Sequence, residues 1–81
     1  MTDSQEQTVD ARVRGEMSCA DMAMGAFDAL ADHASFVLVA DHDPRGIRYM
    51  LQAERPGASG WQDLESGPDL WRARITRTAG A

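Results

Sequence analysis

The sequence predicts a two-layer α+β sandwich with the element order β-α-β-α-β-β, in which two helices cover one face of a four-stranded mixed sheet. Three observations predict it: an apolar stripe at helical spacing after Ser18, a short β-branched run at 35–40, and a Gly-Pro turn within 66–69. A chain of 81 residues has room for one domain. We expect that domain over residues 8–77, with flexible tails at 1–7 and 78–81.

The first part of the chain predicts a strand followed by an amphipathic helix. Residues 8–14 alternate imperfectly between apolar and polar side chains, as in a strand that ends at Gly15. Ser18 and Asp21 have the spacing of a capping box, in which the serine oxygen accepts a free amide at the helix start. A helix of about 14 residues is expected to follow, packed on one face only. Its apolar stripe consists of Cys19, Ala23, Ala26, Phe27 and Leu30.

The middle of the chain predicts a buried strand followed directly by a second helix. Residues 35–40 are apolar and rich in β-branched side chains, as in a short strand that is buried on both sides. Asp43 is expected to cap the helix, with Pro44 at its first position, because the N–H that proline lacks would be unpaired there anyway. The inward stripe of this helix consists of Ile47, Met50 and Leu51.

The last third predicts a β-hairpin. Its strands, 60–65 and 70–77, flank a turn at Ser66–Asp69. If the four turn residues are unpaired, Asp63 faces Arg72 across the two strands, which predicts an ion pair.

The same register assigns side chains to the two faces of the hairpin. It places Trp61 opposite Arg74 on the open face, which predicts a cation–π pair, and it places Leu70 on that face too. There Trp61 either belongs to a docking or dimer surface or covers the stem of Arg74. The core face consists of Leu64, Trp71, Ala73 and Ile75.

Composition and charge disfavour several function classes. A net charge of −5 repels phosphate backbones, so we expect neither nucleic acid nor an anionic membrane as partner. No apolar run approaches the ~20 residues of a membrane span, and residues 1–7 lack the features of a signal peptide. A single cysteine allows no internal disulfide and fits a reducing, cytoplasmic setting. No nucleophile–base pair or phosphate loop is evident, so we expect a non-enzymatic protein without a cofactor.

The chain resembles the TusA/SirA-like superfamily, and within it an uncharacterised branch often found beside hemerythrin-like domains. The residues that carry the resemblance are "VDAR" (9–12), "AFDAL" (26–30), "SFVLVADHDPRGIRYML" (35–51) and "GPDLWRARITR" (67–77). The resemblance implies the two-layer fold and a neighbourhood of redox or sulfur metabolism, with no established activity.

Cys19 is the residue that the resemblance makes a candidate persulfide carrier. Sulfur-carrier members of the superfamily have a Cys-Pro pair near the start of the first helix, where a persulfide forms and passes to a partner. Here Ala20 follows the cysteine, which also lies about three residues late, with Glu16 nearer the carrier position. The helix dipole at Cys19 favours the thiolate, whereas Glu16 and Asp21 oppose it. The alternative is a small apolar side chain at the edge of the core.

The segment Asp41-His42-Asp43 has two interpretations. His42 with either aspartate, and with His33, would give the nitrogen and oxygen donors of a divalent ion, at the end of a strand where α/β sheets place sites. Otherwise the segment only ends a strand and starts a helix.

Arginines close to the same helix start suggest a related site. Arg45, with Arg48 and Arg12, would bind a small anion there, or these side chains are solvated charges that balance nearby aspartates.

These features support three functional hypotheses. The first is a cytoplasmic, non-enzymatic module that binds an unidentified protein partner as a monomer or weak homodimer, and it predicts an exposed apolar patch on the open sheet face. The second is a sulfur carrier that uses Cys19. The third is a metal or small-anion site at Asp41, His42 and Asp43.

Overall fold

The structure, a computed structural model, describes residues 6–13 and 18–78. Its elements follow the predicted order β-α-β-α-β-β. They are β1 (Gln7–Asp10), α1 (Cys19–Asp28), β2 (Ser35–Ala40), α2 (Arg45–Glu54), β3 (Ser59–Ser66) and β4 (Trp71–Arg77).

The strands form one mixed, open sheet in the order β1-β2-β4-β3. β1 runs parallel to β2, and β4 runs antiparallel to both β2 and β3. The hairpin partner β3 therefore lies at one edge of the sheet and the short β1 at the other. The predicted two-layer α+β sandwich is confirmed.

The core lies between the helices and one face of the sheet. Phe36 and Leu38 of β2 and Ile75 of β4 are each at most 1% exposed. Phe36 pairs with Ile75 across the strands, and directly paired residues share a face. Both helices close this layer with residues from successive turns of their inner stripes. The helix residues in the core are Ala23 and Phe27 of α1 and Ile47 and Leu51 of α2.

The first strand is shorter than predicted. It ends at Asp10, because the Asp10 carboxylate accepts the backbone N–H of Arg12 at 3.0 Å and turns the chain. The Arg12 guanidinium also donates to this carboxylate at 2.8 and 2.9 Å, and these bonds lower the pKa of Asp10 to about 2. Val13, beyond the turn, is 78% exposed. The predicted strand end at residue 14 and the break at Gly15 lie outside the described residues.

The predicted tails differ from the structure at their inner ends. Gln7 already belongs to β1, and Glu6 pairs with Arg74 at 2.7 Å. Thr78 donates its backbone N–H to the carbonyl of Ala58 at 2.9 Å. Residues 1–5 and 79–81 of the two tails lie outside the described residues.

α1 begins as predicted and ends early. The Ser18 Oγ accepts the N–H of Asp21 at 3.0 Å, which confirms the serine cap. The helix spans 10 residues instead of about 14. Past its end, the Arg77 guanidinium donates to the carbonyls of Asp28 and Leu30 at 3.3 and 3.4 Å, so a side chain from β4 pairs with carbonyls that the helix leaves free.

α2 begins one residue later than predicted. Pro44 is the N-cap and Arg45 the first helical residue. Asp43 still pairs with a free amide at the helix start, since its carboxylate accepts the N–H of Arg45 at 3.0 Å. The carbonyl of Pro44 accepts the N–H groups of Ile47 and Arg48.

The hairpin forms, but its predicted register is wrong. The turn begins one residue later, at Gly67, whose φ of +72° favours glycine. Ser66 consequently pairs with Trp71, two residues away from the predicted register, and a bulge at Leu64 then shifts the rest of β3 back by one residue.

The shifted register replaces both predicted cross-strand pairs. Arg72 pairs with Glu65 at 3.1 Å instead of with Asp63. Trp61 pairs with the buried Ile75, so it lies on the helix-covered face, and Arg74 pairs with Gln62 on the other. The predicted cation–π pair of Trp61 with Arg74 is therefore absent from the described residues, where a cation–π contact joins Arg77 to Phe27 at 5.7 Å.

Within the described part of the chain, neither helix has the length and apolar character needed to cross a bilayer.

Candidate functional site

A groove of about 310 Å³ lies between α2 and the β3–β4 hairpin. α2 lines it with Arg45, Arg48 and Tyr49, and the hairpin lines it with both strands. The hairpin residues are Trp61, Asp63, Glu65, Ser66, Trp71 and Arg72. Asp43 and Pro44, at the start of α2, complete the groove.

Aromatic side chains form the apolar part of the groove. The chain has two tryptophans and one tyrosine, and all three line this groove, while both phenylalanines lie in the core. Trp61 packs partly against the core, and Tyr49 is 60% exposed. The aromatic residues with a polar atom are thus concentrated at one surface.

The turn glycine leaves room for the Trp71 ring. A Cβ added at Gly67 would lie 2.5 Å from the Trp71 ring, closer than atoms of these types approach each other. The N–H of Gly67 donates to the carbonyl of Leu70 at 2.8 Å and closes the turn. Leu70, predicted on an open sheet face, is instead a half-buried turn residue.

The acidic residues that line the groove each have a hydrogen-bond donor. Asp43 accepts from the Arg45 guanidinium at 2.7 Å, which lowers the pKa of Asp43. Asp63 accepts from the Trp61 Nε1 at 2.8 Å. Glu65 accepts from Arg72 at 3.1 Å.

Arg48 differs from the other charged residues of the groove. It is exposed, and within residues 6–13 and 18–78 it has neither an ion pair nor a side-chain hydrogen bond. The neighbouring arginines, Arg45 and Arg72, are each paired with a carboxylate. The groove therefore offers one guanidinium that is available to a ligand.

The candidate metal ligands do not come together. His42 Nδ1 lies 2.9 Å from Asp41 Oδ1, and both side chains are more than half exposed. His33 precedes β2 and His42 follows it, so the length of a six-residue strand, ~20 Å, separates them. Among the described residues, no three His, Cys, Asp or Glu side chains form a group that would hold a metal ion. The proposed completion of this site by His33 is wrong.

Cys19 is the first residue of α1 and lies away from the groove. Its Sγ donates to the carbonyl of Ala11 at 3.7 Å, and its half-buried side chain packs against the core. This matches the interpretation of a small side chain at the core edge, and the reactivity of the thiol stays a prediction. Glu16 lies outside the described residues.

A second cavity, of about 410 Å³, lies where α1 ends near the start of β1 and β2. Its walls include Leu30, His33 and Glu6. Glu6 accepts from Arg74 at 2.7 Å and from Ser35 at 2.6 Å, and these bonds lower its pKa. Because the Glu6 carboxylate is already paired, this cavity has fewer polar groups available to a ligand than the groove has.

Sequence reasoning found part of the groove. Of the five predicted binding residues, Asp43, Arg45 and Trp61 line it, whereas Asp41 and His42 do not. Arg12 pairs with Asp10 instead of joining an anion site.

Sequence reasoning missed Tyr49, Trp71 and Asp63 as groove residues. One available signal was the spacing of Arg45, Arg48 and Tyr49 at i, i+3 and i+4, which places them together on one helix face.

Comparison with known proteins relates the chain to a family that has no assigned function. A family model described as Uncharacterized conserved protein (DUF2249) matches residues 8–77. Neither the curated proteins nor the solved structures include a match to the chain.

Proposed function

Because the chain belongs to the DUF2249 family of uncharacterised conserved proteins, we propose its function from the site: a small partner-binding module that binds through the groove between α2 and the hairpin. This is the first of the three hypotheses from the sequence, with the binding surface now at the groove and not on the open sheet face. The open sheet face, where that hypothesis expected an apolar patch, has two hydrogen-bonded groups instead. Arg74 donates to Glu6 and Gln62, and Arg72 donates to Glu65, a pair that also borders the groove beside the turn.

One observation carries the proposal: every tryptophan and tyrosine of the chain lines one surface groove. These side chains combine a large apolar area with a polar atom, which is why they dominate the binding energy of protein interfaces. In an 81-residue chain with a small core, a binding role explains why neither tryptophan is fully buried in that core.

The chemistry of the groove supports binding more than catalysis. Its described lining includes the Ser66 hydroxyl but no histidine or cysteine, so it contains neither a Ser–His nor a Cys–His pair. Its charged groups are arginines and carboxylates, which recognise a partner through hydrogen bonds.

We also propose that the chain belongs to the TusA/SirA-like superfamily. The element order and the two-layer sandwich support membership of a TusA/SirA-like superfamily, and with it a cytoplasmic role beside redox or sulfur metabolism. No described contact of Cys19 favours the sulfur-carrier alternative. Alkylation of Cys19 against pH, followed by mass spectrometry, tests it: reaction only on unfolding would remove that alternative.

The test of the groove compares two α2 variants of the full chain. Tyr49→Ala removes an exposed aromatic side chain of the groove, and Gln52→Ala removes an exposed side chain of the same helix outside the groove. We expect the immobilised wild type and Gln52→Ala to retain a protein from an extract of the native cell, and Tyr49→Ala to lose it. The retained protein, once purified, should bind the wild type directly. If Tyr49→Ala retains the same proteins with the same affinity, the groove is not the binding surface.

A further inference from the structure

We infer that the occupant of this groove is an extended segment of a partner protein that carries a carboxylate next to an apolar side chain. This inference rests on the proposed function and specifies its ligand chemistry. Three independent features support it: the charge balance of the groove, its aromatic walls and its position at a sheet edge.

Arg48 accounts for the carboxylate. It is the arginine of the groove without an acidic partner among the described residues, while Arg45 and Arg72 already pair with Asp43 and Glu65. A guanidinium forms two parallel hydrogen bonds to a carboxylate, and such charge-assisted bonds are about twice as strong as neutral ones.

The charges that line the groove favour a ligand with one negative charge over one with two. Asp43, Asp63 and Glu65 lie in the same lining as Arg48. Arg45 and Arg72 offset the charges of Asp43 and Glu65, so Asp63 is the lining carboxylate that repels an anion at Arg48, and it repels a dianionic phosphate more than a single carboxylate. A phosphorylated segment is therefore a poorer fit than an acidic one.

The aromatic walls account for the apolar side chain. Tyr49, Trp61 and Trp71 present ring surface to the same space. A volume of about 310 Å³ is at the low end of small-molecule sites, and it suits one or two side chains of a segment whose remainder lies outside.

The sheet edge accounts for the extended conformation. β3 is an edge strand that pairs with β4 alone among the described strands, so its other side has backbone groups open to a further strand. In a segment added there, every second side chain would point to the helix-covered face, where the groove lies. The bulge at Leu64 restricts this pairing to the part of β3 that precedes it.

The experiment selects from phage-displayed random 12-residue peptides on the immobilised full chain. We expect enriched peptides to contain Asp or Glu beside an aromatic or aliphatic residue, and to lose binding on Tyr49→Ala. A synthetic winner and its matched amide version (Glu→Gln or Asp→Asn) are then titrated against the wild type, Arg48→Gln and Arg12→Gln. Arg12 is the control arginine, because it lies outside the groove lining and pairs with Asp10.

Arg48→Gln should weaken the acidic peptide about tenfold and leave the affinity of the amide version nearly unchanged, while Arg12→Gln changes neither. Two further peptides carry N-methyl groups on every second backbone amide, one on the odd-numbered and one on the even-numbered residues. Strand addition requires that one of the two loses binding and the other keeps it.

Three outcomes overturn the inference. They are peptides selected without an acidic residue, equal losses for both peptides on Arg48→Gln, and a concentration-dependent dimer in sedimentation that Tyr49→Ala abolishes, since the occupant would then be a second copy. None of these removes the partner-binding role, which the comparison of Tyr49→Ala with Gln52→Ala tests separately.

Discussion

The two faces of the sheet differ in how their polar side chains are paired and in what covers them. On the open face, Arg74 donates to Glu6 and Gln62, Arg72 donates to Glu65, and Val39 beneath them is only 7% exposed. On the helix-covered face, the same strands first pack a core and then, toward the hairpin, leave a groove with exposed aromatic surface and Arg48.

The difference shows which surface has a polar group available to bind a ligand. Described arginines on the open face have their partners within the chain, so a ligand there would replace existing hydrogen bonds. Arg48 in the groove has no such partner among the described residues, so a carboxylate there forms new ones. Since the net gain from exchanging a hydrogen bond with water is already small, binding is favoured where no intramolecular hydrogen bond has to be broken as well.

The largest expected effect distinguishes the core from the open face at neighbouring residues of β2. Leu38→Ala should lower the free energy of unfolding by about 2–5 kcal/mol, because Leu38 is 1% exposed and its removal leaves a cavity. Val37→Ala, on the open face and half-buried, should cost about 1 kcal/mol. Urea denaturation measures both, and equal losses would contradict the assignment of the two faces.

The next effect concerns the turn glycine beside Trp71. Gly67→Ala should destabilise the protein by about 1–3 kcal/mol, since a positive φ is strained for alanine and the new Cβ meets the Trp71 ring. Thermal unfolding and tryptophan fluorescence measure the loss of stability and the movement of the ring.

Gly25→Ala is the matched control for Gly67→Ala. Gly25 lies inside α1 with nothing within 4 Å of an added Cβ, so alanine there should stabilise the protein by about 0.5–1 kcal/mol. If the two glycine variants change stability in the same direction, the strain attributed to the turn is wrong.

Local signals predicted the elements well. The run at 35–40 gave the bounds of β2, and the side chains of Ser18 and Asp43 both accept amides at the helix starts where they were expected. Such features depend on neighbouring residues, so a single sequence contains them.

The groove depends on contacts between distant segments, and there sequence reasoning failed. The hairpin register follows from a one-residue difference in where the turn begins and from a bulge at Leu64. Because side chains alternate along a strand, the bulge and the turn together decide the face on which Trp61 lies. A resemblance between sequences gives the fold, but it does not report that Arg48 lacks a partner.

A smaller effect tests the hydrogen-bonded open face through pH. Hydrogen bonds from Arg74 and then Ser35 lower the pKa of Glu6 below its ordinary value of 4.5. The folded state therefore gains stability above the unfolded pKa, and this gain is lost as the pH falls through the folded pKa. Glu6→Gln should cost at most ~1 kcal/mol at pH 7, since the pair is partly exposed, and the difference from wild type should shrink below about pH 4.

Thermal unfolding of both proteins between pH 7 and pH 2 measures this dependence. Thr8→Ala, an exposed open-face neighbour on β1, provides the control and should show the acid sensitivity of the wild type. A difference between Glu6→Gln and wild type that stays constant with pH would mean that the Glu6 charge does not stabilise the open face.

The smallest expected effect concerns His42, which belongs to neither the core nor the groove lining. His42 contacts Asp41 at 2.9 Å with its side chain 55% exposed, so His42→Ala should change the free energy of unfolding by less than about 0.5 kcal/mol. A ligand that binds only the folded state raises the melting temperature by mass action, so Zn²⁺ or Mn²⁺ in large excess should shift wild type and His42→Ala equally. A metal-dependent rise that His42→Ala abolishes would show that the end of β2, and not only the groove, offers donors to a ligand. The junction between β2 and α2 would then be a second surface, beside the groove, with side chains available to a ligand.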